Sequence, residues 1–184
     1  MAAAAAAEKI RPLRRVEYDK LVALGVFEGE RIELIDGALL QMSPIGAPHG
    51  EAVDRLTELF VLALVGRARV RIQGSFAAGE FSEPEPDVSI LPLGDYHAEH
   101  PHQAHLVVEV AESSLSYDRG RKARLYAEAG VPEYWIVNLV ERTVEVHRLP
   151  NAGKYEQVST HPKGSRLRLV AFPDVELSVD DFVR

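Results

Sequence analysis

The sequence of 184 residues contains no cysteine, and this absence excludes a disulfide framework, a thiolate metal site and a cysteine nucleophile. It also lacks any apolar run near the ~18 residues that a membrane-spanning helix needs. The opening MAAAAAAEKI has no basic segment before its alanines, and its apolar run is too short for a signal peptide. We therefore expect a cytoplasmic protein in which residues 1–9 are disordered or a frayed helical start and residues 10–184 form a single domain.

Positive charge is scarce as well, since Lys and Arg total 21 against 28 Asp and Glu, giving a formal net charge of −7. This balance argues mildly against a protein whose main role is to bind nucleic acid through a basic face. It does not exclude a nucleic-acid enzyme, because a local basic groove can bind phosphates and divalent cations can neutralise an acidic cluster. The hydrophobic fraction of 46% is ordinary, so the chain can bury a sufficient core unaided.

The first part of the chain predicts a helix, a hairpin and a second, longer helix. Two apolar runs flank Asp36-Gly37, and this dipeptide between apolar runs is the strongest short hairpin signal. The predicted elements are a helix over RRVEYDKLVALG that ends at Gly25, strands 31–35 and 38–42, and a helix of about twenty residues that begins at Ser43-Pro44.

The remainder of the chain predicts a mixed sheet and another helix. LVVEVA is apolar on both faces, as strands in the middle of a sheet are. The predicted elements are strands 69–72, 75–78 and 87–91, a loop 93–103, a strand 106–111, a helix 114–130, strands 133–138 and 143–148 joined by a hairpin at 139–142, a strand at LRLV, and a helical turn at SVDDFV. This order predicts an α/β or α+β fold, with a central mixed β-sheet flanked by helices and an N-terminal helix and hairpin extension.

Two carboxylates stand at positions where charge is costly. Glu109 is the only charged residue in LVVEVA, and a buried carboxylate needs a partner, a proton or a metal ion. The alternative is that Glu109 faces an exposed sheet edge or an Arg. Asp87 follows Pro86 at the start of a predicted strand, where the alternative is an ordinary turn aspartate. Neither residue identifies a site alone.

Three further polar residues occupy predicted inward positions. Lys122 lies on the apolar stripe of its helix, where a lysine either extends its ammonium outward or points it at a negative group. Glu33 alternates with Arg31 and Ile35 on the first strand. His49 is in line with the apolar face of the second helix, where most histidines are satisfied core residues. The coincidence of these residues with the two carboxylates favours a functional site.

Two carboxylates and a lysine suit one type of reaction. Asp and Glu oxygens are hard ligands of the kind that Mg²⁺ and Mn²⁺ prefer. Such a cation lowers the pKa of a bound water and polarises a phosphoryl oxygen, while a nearby lysine stabilises developing negative charge. The set therefore indicates metal-assisted hydrolysis of a phosphodiester. A sugar- or nucleotide-processing hydrolase that uses the carboxylates without metal is the weaker alternative, because it gives Lys122 no role.

The order Pro-Asp, then Glu on a later strand, then Lys resembles the PD-(D/E)-x-K nuclease superfamily and its restriction-endonuclease-like fold. More closely, the chain resembles the Uma-type family of restriction endonucleases. The resemblance extends from about residue 16 to the end of the chain. The matching segments are RIELIDGALL, EPEPDVSIL, LVVEVAESS and YDRGRKARLYAEAGVPEYWIVN, of which the last is the most specific.

The resemblance implies that Asp87 and Glu109 hold Mg²⁺ or Mn²⁺, with the backbone carbonyl of Val110 as a further ligand. The lysine of the motif normally stands two residues after the Glu, where this sequence has Ala111, so the strict motif is broken. Lys122 on the following helix is the matching lysine. A lysine at this distance along the chain can still reach back to the same site.

The resemblance has three further implications. Glu33 matches an acidic residue that the early part of this fold often contributes to the site. The expected partner is nucleic acid, with DNA as the favoured substrate, and a homodimer is expected because many nucleases of this fold pair to cut two strands. The alternative is a non-catalytic nuclease-like module that binds a protein or nucleic-acid partner, which the net charge and Ala111 favour.

Other acidic and histidine residues near these motifs are expected to have ordinary roles. Glu83 and Glu85 precede the strand that begins at Asp87, and we expect both to be solvated. The spacing of four histidines in and beside the loop fits no standard zinc pattern, so a flexible polar loop is favoured over a metal cluster. These histidines are His97, His100, His102 and His105.

Overall fold

A computed structural model describes residues 10–184 of the chain. Residues 1–9, for which the sequence predicts a disordered or frayed start, lie outside the described residues. Within the described part, no helix is both long enough and apolar enough to cross a membrane.

The N-terminal helix and hairpin form as the sequence predicts, with small shifts at their ends. Helix α1 (Arg15–Ala23) precedes strands β1 (Ile32–Ile35) and β2 (Ala38–Gln41), which pair in antiparallel fashion. Asp36 and Gly37 have φ values of +51° and +78°. This left-handed conformation is the one that a two-residue hairpin turn requires and that Asp and Gly tolerate. The turn residues therefore fix the register of the hairpin.

A six-stranded mixed sheet forms the centre of the molecule, and its strands lie side by side in the order in which they occur in the sequence. All neighbouring strands pair antiparallel except the two central ones, β5 and β6, which are parallel. Every residue of these two strands is buried, as their apolar composition predicts. The strands are β3 (Arg69–Ile72), β4 (Val88–Leu91), β5 (Leu106–Ala111), β6 (Glu133–Asn138), β7 (Thr143–Asn151) and β8 (Lys154–Pro162).

Helices cover both faces of this sheet. Helix α2 (Ala47–Leu64) covers one face, where its apolar side meets β4, β5 and β6. The other face carries a continuous helical stretch made of α3 (Leu115–Tyr117), a π turn (Asp118–Lys122) and α4 (Ala123–Glu128). A π turn accommodates one extra residue in the helix and is frequent at functional sites. The face beneath this turn contains the candidate site.

Each face has its own hydrophobic core. Under α2, the ring of Phe60 packs against that of Trp135 with centroids 6.1 Å apart. Under α4, the rings of Tyr126 and Tyr134 lie 5.0 Å apart. Since side chains alternate along a strand, neighbouring residues of β5 supply opposite cores. Glu109 therefore points to the α4 face while Val108 and Val110 point to the α2 face.

The C-terminal segment adds a short hairpin under α2. Strand β9 (Arg166–Arg168) pairs with β10 (Glu176–Ser178), and the predicted final helical turn is present at Val179–Asp181. Phe182 and Val183 behind it are buried in the α2 core. The sequence predictions omitted β8 and β10. No residue of β8 is fully buried, and β10 has only three residues, of which one is buried.

One predicted strand and one predicted helix start were wrong. Residues 75–78 form no strand, because Phe76 and Ala77 donate their N–H groups to Pro84 and Pro101, and a proline has no N–H to return. Helix α2 begins at Ala47 rather than at Ser43. Pro48 lacks an N–H and fits only the first turn of a helix, so an earlier start would have placed it in the interior.

Candidate active site

The sheet brings Asp87 and Glu109 together. Val88 pairs with Val108 in the antiparallel ladder of β4 and β5, so Asp87, one residue earlier, stands opposite Glu109. The N–H of Val110 donates to Asp87 Oδ2 at 2.8 Å, which holds the aspartate against β5. Both carboxylates line a cavity of about 380 Å³. The aspartate is therefore more than a solvent-exposed turn residue.

Lys122, the last residue of the π turn, points its ammonium into the same cavity. Its Nζ lies 2.9 Å from Glu109 Oε1 and 3.4 Å from Glu33 Oε2. The residue is only 5% exposed, so of the two alternatives left open by the sequence, the ammonium points at negative groups rather than outward. Burial alone would lower the pKa of Lys122, but the surrounding carboxylates reverse this effect and raise it. The lysine is thus a fixed ammonium ion.

Glu109 is buried and incompletely bonded. Its Oε1 accepts hydrogen bonds from Lys122 at 2.9 Å and from the Tyr126 hydroxyl at 2.6 Å. Within residues 10–184, no hydrogen bond reaches its Oε2. Burial raises the pKa of Glu109 to about 8, although the ammonium of Lys122 opposes the rise. A cation beside Oε2 would favour the ionised carboxylate of Glu109 and so oppose this rise of its pKa.

Asp87 is held by two further side chains. His49 Nε2 lies 2.9 Å from Asp87 Oδ1, and Gln73 Nε2 donates to the same oxygen at 3.3 Å. The hydrogen bond with Asp87 raises the pKa of His49. Burial would raise the pKa of Asp87, but these bonds and the charge of His49 lower it. His49 is therefore a contact of the site rather than a satisfied core histidine.

The acidic run before Asp87 is less exposed than predicted. Glu33 is buried at 5% exposure and accepts a bond from the N–H of Glu85 at 3.4 Å. Glu85 itself is half-buried and Glu83 is 2% exposed, so the expectation that both are solvated was wrong. The reason is a backbone bridge between Leu34 and Glu83, which draws the run against the hairpin. Burial and the neighbouring Asp19 raise the pKa of Glu83 to about 7.

The histidines near the loop lie apart from this cavity. His100 Nε2 is 3.6 Å from Glu83 Oε1, and the ring of His105 packs edge-on against Phe172 at 5.3 Å. Across residues 10–184, no group of three or more His, Asp or Glu side chains is arranged as a metal cluster.

The donor set of the cavity nevertheless suits a hard divalent cation. Asp87 and Glu109 offer carboxylate oxygens, and Glu109 Oε2 is free of hydrogen bonds from the described residues. Mg²⁺ keeps several waters and commonly uses only one or two protein carboxylates. Val110, whose N–H is taken by Asp87, also lines the cavity. The residues present therefore fit Mg²⁺ or Mn²⁺ as a cation that carries its own water.

Sequence reasoning missed three residues of the site. Gln73 contacts Asp87, Tyr126 contacts Glu109, and Asp118 is buried at 2% exposure on the cavity wall. Asp118 and Tyr126 stand four residues before and after Lys122, a spacing that puts side chains on one helical face. That spacing is a usable signal. Nothing in the local sequence marks Gln73, whose position follows from the pairing of β3 with β4.

Comparisons with known proteins agree with this architecture. A family model described as "Uma2: Putative restriction endonuclease" matches residues 16–180. No curated protein matches the sequence. Among solved structures, the chain is similar to a protein from Anabaena variabilis described as a putative nuclease belonging to DUF820. The two are 16% identical with a TM-score of 0.74, over 93% of this chain and 97% of that one. This likeness confirms the predicted fold.

Proposed function

This chain belongs to the Uma2 family, described as putative restriction endonucleases, and we propose that it is a metal-dependent endonuclease that hydrolyses phosphodiester bonds in DNA. One observation carries the proposal. The buried ammonium of Lys122 lies between Glu109 and Glu33, in a cavity that Asp87 shares. A structural ion pair needs no such opening, whereas a hydrolytic site needs a space where substrate and water meet the charged groups.

The carboxylates would hold the cation. Asp87 and Glu109 would supply oxygen ligands, and the carbonyl of Val110 would complete the protein's share. When bound, Mg²⁺ or Mn²⁺ would lower the pKa of a water and polarise a phosphoryl oxygen. His49 and Gln73 support this role because they fix the Oδ1 side of Asp87.

Lys122 would act on the substrate phosphate. Its ammonium is held in position by Glu109 and Glu33 before any substrate arrives. A preorganised cation stabilises the negative charge that develops on the phosphoryl oxygens without a cost of reorganisation. The hydroxyl of Tyr126 donates to Glu109 at 2.6 Å and would keep that carboxylate oriented.

The test is cleavage of DNA in the presence of Mn²⁺ by wild type and three variants. Asp87→Asn, Glu109→Gln and Lys122→Ala should each lower the rate by roughly a hundredfold or more, as the loss of one preorganised contact does. The matched controls are Glu128→Gln and Lys154→Ala, which alter exposed residues away from the cavity. Equal rates in wild type and the three site variants would overturn the proposal.

A nuclease-like module without catalysis is the second candidate. The net charge of −7 and the alanine at position 111 favour it. Calorimetric titration of Mn²⁺, with Glu109→Gln as the control, separates the two. Saturable binding that the variant loses supports the enzyme, and its absence both with and without an oligonucleotide supports the module.

The oligomeric state also belongs to the proposal. We propose a homodimer, because strand β8 ends the central sheet and leaves an edge whose backbone groups have no neighbouring strand among the described residues. Sedimentation at several protein concentrations tests this, and a monomer at all of them would contradict it.

A further inference from the structure

Most arginines of this acidic protein are neutralised by a carboxylate. Between residues 10 and 184, the exceptions, with no carboxylate oxygen within 4.0 Å, are Arg31, Arg69, Arg71 and Arg142. Arg69 and Arg71 lie over the ring of Tyr96 at 5.7 and 5.5 Å. Arg142 is exposed in the turn between β6 and β7. Arg31 alone among these four lines the cavity of the candidate site.

Arg31 immediately precedes β1 and continues its alternation, because its carbonyl accepts the N–H of Met42 at 2.9 Å. Arg31 and Glu33 are two residues apart, so their side chains extend from the same face of the chain, roughly 7 Å apart along the strand. Glu33 contacts Lys122 at 3.4 Å, deep in the cavity. Arg31 is half-buried and stands nearer the mouth. Burial raises the pKa of Glu85, and Arg31 opposes this rise, which agrees with a guanidinium close to the acidic run.

The charged side chains that line the cavity beside Arg31 are mainly acidic, and acidic side chains repel a phosphate. The ammonium of Lys122 is already engaged by two carboxylates. The wall contributes further acidic residues, which are Asp87, Glu112 and Asp118. A phosphodiester that enters brings another negative charge. In addition to Lys122 and the proposed divalent cation, a cation without a carboxylate partner would therefore strengthen binding. A guanidinium also matches two phosphate oxygens at once through its planar pair of N–H groups.

We propose that Arg31 binds a phosphate of the nucleic-acid strand at the mouth of the cavity and so positions the strand for the site beneath. The inference rests on the proposed function, because it assigns the substrate contact of the same site. It makes Arg31 a positioning residue rather than a catalytic one. Its loss should therefore weaken binding of the strand more than it slows the chemical step.

The experiment measures binding of a labelled DNA duplex by fluorescence anisotropy, with Ca²⁺ replacing Mn²⁺ to slow cleavage, over a range of salt concentrations. Arg31→Gln should weaken binding about tenfold and reduce the slope of log K against log salt by about 0.9, the value for one lost phosphate contact. Arg31→Lys should restore the slope and part of the affinity, since it keeps the charge without the planar fork. Arg142→Gln removes an equally unpaired arginine that does not line the cavity and should change neither quantity.

A second measurement locates the contact on the DNA. Single phosphates are replaced in turn by uncharged methylphosphonates. Wild type should lose affinity at one or two linkages, and Arg31→Gln should show no further loss at those linkages because the contact is already gone. Arg31 has no carboxylate oxygen within 4.0 Å among residues 10–184, so Arg31→Gln should unfold at nearly the same temperature as wild type.

The outcomes separate this inference from the proposed function. If wild type cuts DNA and Arg31→Gln binds with unchanged affinity and salt slope, Arg31 is not the phosphate contact, although the nuclease remains. If Arg31→Gln and Arg142→Gln weaken binding equally, only the general charge matters and the inference is wrong. If wild type neither binds nor cuts DNA, the proposed function fails and this inference fails with it.

Discussion

Glu109 and Glu133 are two buried carboxylates on the neighbouring parallel strands β5 and β6, and their surroundings differ in one respect. Glu133 Oε1 accepts bonds from Trp135 at 3.0 Å and from Arg148 at 2.6 Å, and its Oε2 accepts the N–H of Val170 at 2.8 Å. Glu109 receives both of its bonds on Oε1. Glu133 accepts hydrogen bonds on both carboxylate oxygens, whereas Glu109 accepts them on Oε1 alone among the described residues.

We interpret this difference as that between a structural charge and the charge to which the proposed function assigns a role. Glu133 ties the C-terminal segment to the sheet and does not line the cavity of the candidate site. Glu109 shares its cavity with Asp87 and Lys122. A buried charge that is fully bonded stabilises one conformation, whereas an incompletely bonded charge is costly and is retained where a ligand completes it. Burial alone therefore does not identify a site.

The largest effect should appear when each carboxylate is replaced by its neutral amide. Glu133→Gln should lower the free energy of unfolding by about 3 kcal/mol, because it breaks a buried pair and leaves Arg148 without its partner. Glu109→Gln should change it by less than about 1 kcal/mol, since a neutral amide removes the cost of the buried charge while Glu33 still pairs with Lys122. Urea denaturation measures both.

The same pair of variants should exchange places in the cleavage assay. Folded Glu133→Gln should cut DNA at the wild-type rate at a temperature well below its unfolding transition, and Glu109→Gln should not. Equal losses of stability in the two variants would show that the two carboxylates do not differ in the way that their hydrogen bonds indicate.

A cation should sharpen the comparison further. At a Mn²⁺ concentration about 100 times its Kd, the free energy of unfolding of wild type should rise by about 2.7 kcal/mol, because the ion binds only the folded site. Glu133→Gln should gain the same increment from its lower starting point, and Glu109→Gln should gain none. Denaturation with and without Mn²⁺ gives the increments. If Mn²⁺ also stabilises Glu109→Gln, the cation binds at a site that does not include Glu109.

The fold could be predicted where local signals and burial agree. Asp36-Gly37 specified its hairpin, and LVVEVA specified a central strand, because turn chemistry and apolar composition act locally. Strand β8 was missed since KYEQVSTHP is an exposed edge with few apolar residues, and it becomes a strand only by pairing with β7. Tertiary pairing of this kind leaves little trace in the sequence.

Part of the candidate site could be predicted, because some of its residues are charged residues within apolar sequence patterns. Glu109 and Lys122 are charges in apolar patterns, and the structure brings them within 2.9 Å. Tyr126 resembles a core aromatic, and only the geometry shows its hydroxyl on Glu109. The π turn that carries Lys122 has no sequence signature in DRGRK. The contacts between elements therefore had to come from the structure.

Glu83 extends the comparison to a third buried carboxylate, which lies outside the cavity. Its Oε2 and the Oδ1 of Asp19 have no hydrogen-bond partner among the described residues, and Arg15 Nη1 is 3.9 Å away from that Oε2. Burial and the Asp19 carboxylate raise the pKa of Glu83 from 4.5 to about 7. Glu83 is therefore less well compensated than Glu133, without the ligand proposed for Glu109.

The smallest predicted effect follows from this raised pKa. The folded protein holds the Glu83 proton more tightly than the unfolded chain, so the stability that it contributes is complete below about pH 4.5 and is lost as the pH rises toward 7. Glu83→Gln cannot ionise, so it should be more stable than wild type at pH 8 and about equal to it near pH 4.5. The shift corresponds to about 3 kcal/mol, and we expect about 1 kcal/mol at pH 8 after solvent screening is allowed for. Urea denaturation at the two pH values measures the difference, with Glu133→Gln as a control that should be destabilised at both. If Glu83→Gln is less stable than wild type at pH 8, the Glu83 carboxylate is a compensated structural charge like Glu133. A carboxylate oxygen without a hydrogen bond would then not by itself identify a destabilising charge.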